Sequence, residues 1–172
     1  MRRVLGFLLV FAFAFGLMGS FSGGKAEAAF TESKTYTYNL EVKKSNSAVN
    51  KIHHEYMYDW VFPTSSGILI TDAYYKFNSA GNIQLVTLTP NVKNVWWPSY
   101  LASSSGKVTS KKAGTTQVGY TTHLIKYNVA GVVRRQEPYR TDVTITKGAA
   151  VKGKKDTYKI KAVFKVTGKD DI

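Results

Sequence analysis

Period-two patterning constrains this chain more than any other feature. In TYTYNLEVK (35–43), Tyr36, Tyr38, Leu40 and Val42 share one face, and Thr35, Thr37, Asn39, Glu41 and Lys43 share the other. Successive side chains of an extended strand point to opposite faces, so this alternation predicts a half-buried strand. The pattern recurs. IHHEYMYDWVF (52–62) puts Ile52, His54, Tyr56, Tyr58, Trp60 and Phe62 on an apolar face. YRTDVTITK (139–147) aligns Tyr139, Thr141, Val143 and Ile145. DTYKIKAVFKV (156–166) turns Tyr158, Ile160, Ala162, Phe164 and Val166 inward, and Lys159, Lys161 and Lys165 outward. Further strands are predicted at 67–77, 83–89, 116–127 and 132–137, with Pro90 and Pro138 read as breaks and SSSGK (103–107) as a loop.

No stretch carries a helical period. About eight to ten short strands separated by turn residues predict an all-β fold, an antiparallel β-sandwich or partly open barrel. Lys76-Phe77-Asn78-Ser79-Ala80-Gly81 is echoed by Lys126-Tyr127-Asn128-Val129-Ala130-Gly131, with Thr71 and Thr121 at matching offsets. Asn and Gly supply the conformations tight turns need, so both sites predict hairpins. Shared turn chemistry accounts for the echo, and a repeated hairpin in a pseudo-symmetric fold is the alternative.

The N-terminus follows a different grammar. Arg2 and Arg3 precede an uncharged apolar run (4–19), followed by small residues and Ala26-Glu27-Ala28. That order is expected of a secretory signal peptide cleaved after residue 28. The run is shorter than the roughly 20 apolar residues that span a bilayer, and glycines interrupt it. Residues 29–172 are then expected to form a single all-β domain. Cysteine is absent. A domain of this length buries roughly 70% of its unfolded surface, so packing can hold it without disulfides.

The chain carries a formal charge of +13. Only Arg2, Arg3, Lys25 and Glu27 precede residue 29, so the positive excess stays with the expected secreted domain. Such charge favours an anionic partner: a cell-envelope or extracellular polymer, an acidic polysaccharide, or an anionic membrane. Charge far from zero also serves solubility. Nucleic acid fits electrostatically, but export makes it a poor choice.

Catalytic motifs are not found. There is no GxSxG elbow, phosphate-binding loop or cysteine nucleophile. His54 lies on an aromatic face and His123 among threonines, and both read as packed structural residues. His53 and Glu55 sit about 7 Å apart on one strand face. With His123 they would make three metal ligands, but nothing in the sequence brings His123 close, and two ligands at this spacing arise easily by chance. Glu55 and Asp59 are separated by roughly 13 Å of strand, wider than the roughly 5–9.5 Å that glycosidase carboxyls need. Pairing of Glu55, Asp59, Asp72, Glu137 and Asp142 across strands stays open. No catalytic residue, metal or cofactor is assigned.

Two surfaces remain. In NVWWPSYL (94–101), strand alternation would send one tryptophan to a core and the other outward. Trp96, Trp97 and Tyr100 would form a stacking or lipid-contacting platform. Lys152, Lys154, Lys155, Lys159, Lys161 and Lys165 form a basic loop and row. A lysine row also guards an exposed edge strand against aggregation. The expected function is a secreted, basic, non-enzymatic protein that binds an anionic envelope polymer. A membrane-active toxin or bacteriocin-like protein and a small secreted hydrolase are the alternatives.

Overall fold

The computed structural model describes residues 31–45, 48–60 and 65–169. The expected signal peptide (1–28) lies outside the described residues. Among them are eight strands: β1 (Thr31–Lys43), β2 (Val49–Trp60), β3 (Ser65–Phe77), β4 (Ile83–Lys93), β5 (Ser99–Val108), β6 (Thr116–Val129), β7 (Val132–Ala150) and β8 (Thr157–Lys169). The described chain is all-β, as its patterning predicts. All pairings are antiparallel. One sheet has the order β1-β8-β7-β6-β5 and the other β2-β3-β4.

Three boundaries differ from the sequence expectation, and each has a backbone reason. β4 continues through Pro90 to Lys93. It is an edge strand, so proline can occur without costing a central ladder bond. β7 runs unbroken through Pro138. β8 pairs with β7 only from Tyr139 onward, so β7 is locally an edge at Pro138. SSSGK belongs to β5, which pairs with β6 alone and is exposed along most of its length. A strand wetted on both faces leaves no alternation to read.

β5 also explains how one side of the fold closes. Gly106 passes so close to β4 that a Cβ there would fall 1.9 Å from the Leu88 carbonyl oxygen. Only glycine permits that approach.

The buried side chains of both sheets mix in two clusters. The larger joins Ile52, Ala73, Tyr75 and Phe77 to Val143, Ile145, Ile160, Ala162 and Phe164, with Ile83, Leu85 and Leu88 of β4. The smaller joins Tyr56, Tyr58 and Leu69 to Ile125, Tyr139 and Val166. Between them runs a buried polar seam: His54, Thr71, Thr121, His123 and Thr141. Three strands show the switch at the same level. β2 reads Ile52, His54, Tyr56; β3 reads Leu69, Thr71, Ala73; β7 reads Tyr139, Thr141, Val143.

The seam is tied across the sheets. The Thr71 and Thr121 hydroxyls are hydrogen-bonded at 2.7 Å, buried between β3 and β6. These are the matched threonines of the sequence echo. Both echoed segments are hairpin turns, as expected. The β3–β4 turn lies at one end of the fold and the β6–β7 turn at the other. The first is fixed by Gly81 N–H donating to the Asn78 carbonyl at 3.0 Å, with Gly81 at φ 76°.

Candidate functional site

The lysine row lies on β8, where alternation turns Lys159, Lys161 and Lys165 to the exposed face of the five-stranded sheet. β8 is not an edge. It is hydrogen-bonded on both sides, to β1 and β7. The edge-guarding role considered for the row therefore does not apply. In register, Lys159 stands beside Glu41, Lys161 beside Asn39 and Thr146, and Lys165 beside Thr35 and Asp142. The nearby carboxylates are engaged elsewhere. Glu41 pairs with Lys154 at 2.5 Å, and Asp142 with Arg140 at 2.8 Å. Among the described residues, Lys159, Lys161 and Lys165 make no ion pair.

β7 is irregular next to this row, with a register shift between Lys147 and Ala150. Gly148 leaves the surface low there. The result is an open groove of about 530 Å³, bordered by Asn39, Glu41, Thr146, Gly148, Lys159 and Lys161. Lys152, Lys154 and Lys155 are exposed in the β7–β8 turn at the same end. Lys154 reaches back to Glu41 and is thereby neutralised; among the described residues, Lys152 and Lys155 make no ion pair. Leu40 and Ile160 complete its lining, so the groove joins apolar surface to the Asn39 amide, the Thr146 hydroxyl and the Glu41 carboxylate, with Lys159 and Lys161 at its border and further cations at its mouth. Lys159 and Lys161 are spaced by roughly 7 Å along the strand. That arrangement suits an extended polyanion.

The aromatic residues lie elsewhere. Asn94 takes φ 53°, the chain leaves β4, and the Trp97–Pro98 bond is cis. Residues 94–98 are a loop, so strand alternation does not apply to them. Trp96 is 68% exposed and Trp97 87% exposed. The expectation that one ring enters a core is corrected: neither does. Tyr100, at the start of β5, is also exposed. This loop sits at the opposite end of the sheets from the β7–β8 turn. The 19 residues of β7 span the interval, on the order of 50 Å. The structure therefore separates Trp96, Trp97 and Tyr100 from Lys152, Lys154 and Lys155, and no single ligand-sized site includes both sets.

The histidines divide by face. His54 and His123 are both buried, as their patterning predicts. His54 stacks on Phe164 with ring centroids 4.7 Å apart, and its Nδ1 is 2.9 Å from the Tyr38 hydroxyl. Burial, helped by the neighbouring His53 charge, lowers its pKa to about 4. His123 Nε2–H donates to the Asn91 carbonyl at 3.1 Å, and burial lowers its pKa as well. His53 points the other way, onto the exposed face of the three-stranded sheet. Its Nε2 is 2.8 Å from Glu55 Oε1 and its Nδ1 2.6 Å from Asp72 Oδ1. Two carboxylate acceptors hold both ring protons, and its pKa is raised by Glu55 first and Asp72 second. Lys93 pairs with Glu55 at 2.5 Å and Lys51 with Asp72 at 2.8 Å, closing a surface charge network.

That network answers the metal and carboxylate questions. His53 and His123 lie on opposite faces, and among the described residues no group of three acidic, histidine or cysteine side chains is arranged to hold a metal. Glu55 and Asp72 stand on opposite sides of one imidazole. Glu137 is buried near the tryptophan end, where Arg135 pairs with it at 2.9 Å and the Tyr139 hydroxyl donates to it. Each of these carboxylates is matched by a cation or donor. The side chain of Asp59 lies outside the described residues.

The groove over Gly148 was not foreseeable from the sequence. Its signal, a glycine beside two lysines two apart, acquires meaning only once β7 and β8 are known to pair. Comparison of the chain with family models, curated proteins and solved structures finds no match.

Proposed function

We propose that the chain is a secreted, basic, non-enzymatic binding protein. Its two sheets form an antiparallel β-sandwich, residues 1–28 are a cleaved signal peptide, and the ligand is an anionic polymer of the cell envelope. The polymer runs along the exposed face of β8. One observation carries this reading: among the described residues, Lys159, Lys161 and Lys165 have no ion-pair partner on a strand that has neighbours on both sides, two of them bordering the Gly148 groove. An edge strand needs lysines to stop pairing with another chain; a strand already paired on both sides does not. Holding like charges in a row costs free energy that a polyanion recovers. Lys152 and Lys155 extend the positive field beyond the groove.

Two classes of ligand chemistry draw less support. A hydrolase needs an acid and a base that converge on one point, and among the described side chains Glu55, Asp72, Glu137 and Asp142 are each turned to a cation or donor of their own. A membrane-permeabilising toxin draws on the same cations, and dye leakage from anionic vesicles separates it from a binder. The direct test is co-sedimentation of the purified protein with cell walls, before and after removal of teichoic acid, over a salt series. The reading requires binding that depends on the anionic polymer and weakens steadily with salt. Equal sedimentation with stripped walls, or none with intact walls, would overturn it and leave the charge to solubility.

A further inference from the structure

The end of the molecule opposite the lysines carries an apolar surface that polymer binding does not use. Trp96, Trp97, Tyr100, Val129, Val132 and Val133 are all exposed there. They come from two segments, the β4–β5 loop and the β6–β7 turn. The segments are bound together: Asn128 N–H donates to the Pro98 carbonyl at 3.1 Å. The loop is fixed to the other sheet as well, by Trp96 N–H donating to the Ser66 carbonyl at 3.3 Å. Ser99 N–H closes it onto the Trp96 carbonyl at 2.9 Å. The rings are therefore held out on an anchored backbone. Other exposed large apolar residues, such as Leu40, Val86 and Val118, lie apart from this group on other strands. Single exposed residues of that kind are ordinary, and a gathered patch marks an interaction site.

We propose that this tip docks on the surface of an anionic lipid bilayer. Three observations select lipid over other occupants. Tryptophan and tyrosine join an apolar body to a polar tip, which suits the headgroup boundary. The three valines offer nothing to a sugar ring and favour an acyl environment. The charge also fits. Residues 94–101 and 126–133 contain no carboxylate, and Lys126 stands beside Tyr100 in the β5–β6 register. Contact of this kind lies in the interface and crosses nothing; its strength comes from buried apolar area and attraction to anionic lipid. With the tip on the bilayer, the β7–β8 turn and its lysines face away from it.

The test uses the purified protein with vesicles of equimolar phosphatidylcholine and phosphatidylglycerol, and with phosphatidylcholine vesicles alone. The proposal requires co-sedimentation with the anionic vesicles, a blue shift of tryptophan emission, and quenching by lipids brominated near the headgroup. The double variant Trp96→Ser, Trp97→Ser should weaken vesicle binding by about tenfold or more, with an unchanged melting temperature because both rings are exposed. Tyr100→Ser should weaken it less. Three results would overturn the proposal: no binding to the anionic vesicles, whether or not a neutral oligosaccharide quenches the tryptophans; vesicle binding by the double variant equal to that of the parent; or self-association that the double variant abolishes.

Discussion

At one end of the sheets, the β7–β8 turn and the adjoining part of β8 present lysines around a groove that Gly148 borders. At the other end, the β4–β5 loop and the β6–β7 turn present tryptophan, tyrosine and valine with no carboxylate in either segment. The same strands reach both ends, and the interior changes with the surface. Beneath the lysine end lies the larger cluster, mixed aliphatic and aromatic. Beneath the tryptophan end lies a smaller one in which Tyr56, Tyr58 and Tyr139 dominate. The polar seam of His54, Thr71, Thr121, His123 and Thr141 divides them. A long, cysteine-free sheet protein thus keeps two surfaces apart by length and spreads its stability over two apolar blocks.

The largest effect is expected inside the first block. Phe164 is fully buried and packs on both Tyr38 and His54. Phe164→Ala should lower unfolding stability by about 3–5 kcal/mol in a denaturant titration. A loss below about 1 kcal/mol would mean that the block at the lysine end does not carry the fold.

The seam gives the next effect, and its direction follows from burial. His54 is neutral in the folded protein, with its pKa lowered to about 4 from 6.5 by burial. The unfolded chain takes up the proton first as pH falls. Stability from this group is complete above about pH 6.5, is lost between 6.5 and 4, and is flat below. The full loss is about 3 kcal/mol by linkage. His123 acts in the same sense. His53 acts oppositely: its raised pKa gives stability that is present below 6.5 and lost as pH rises through the folded value. At 45% side-chain exposure its share is screened and small. Melting temperature should therefore fall between pH 6.5 and 4, and His54→Phe should flatten that slope. An unchanged slope in the variant would remove His54 from the account.

Charge reversal tests the separation of the two ends. Lys159→Glu, Lys161→Glu and Lys165→Glu together should weaken polyanion binding by about a hundredfold at low salt. Binding of the tryptophan end to vesicles should change by less than about threefold, because the sites lie beyond a Debye length. Equal losses in both assays would merge the two surfaces into one electrostatic effect. The smallest change is expected from Trp97→Ser, which should leave stability within about 0.5 kcal/mol. A larger loss would show that the ring is packed.

The sequence discloses strands wherever one face is buried and the other wet. β1, β6 and β8 are legible for that reason. β5 is not, because Ser103, Ser104 and Ser105 are wet on both faces. Pro90 and Pro138 read as breaks because sheet order, which makes β4 an edge and the start of β7 a local edge, is not written in the chain. The same ignorance of order hid the meaning of the lysine row. The two tryptophans escape the alternation rule because the left-handed Asn94 ends β4 three residues before Trp97. The Thr71 and Thr121 echo pointed at turns, yet its structural content is the hydrogen bond between the threonines themselves.

The central claim is that a polyanion is held at the lysine end and nowhere near the tryptophans. An amide NMR titration of the purified protein with a short poly(glycerol phosphate) tests it residue by residue. The account predicts shifts concentrated at residues 39–41, 146–148, 152–155 and 159–165, with 94–101 unmoved. Shifts centred on 94–101, or spread evenly over every exposed lysine, would contradict it.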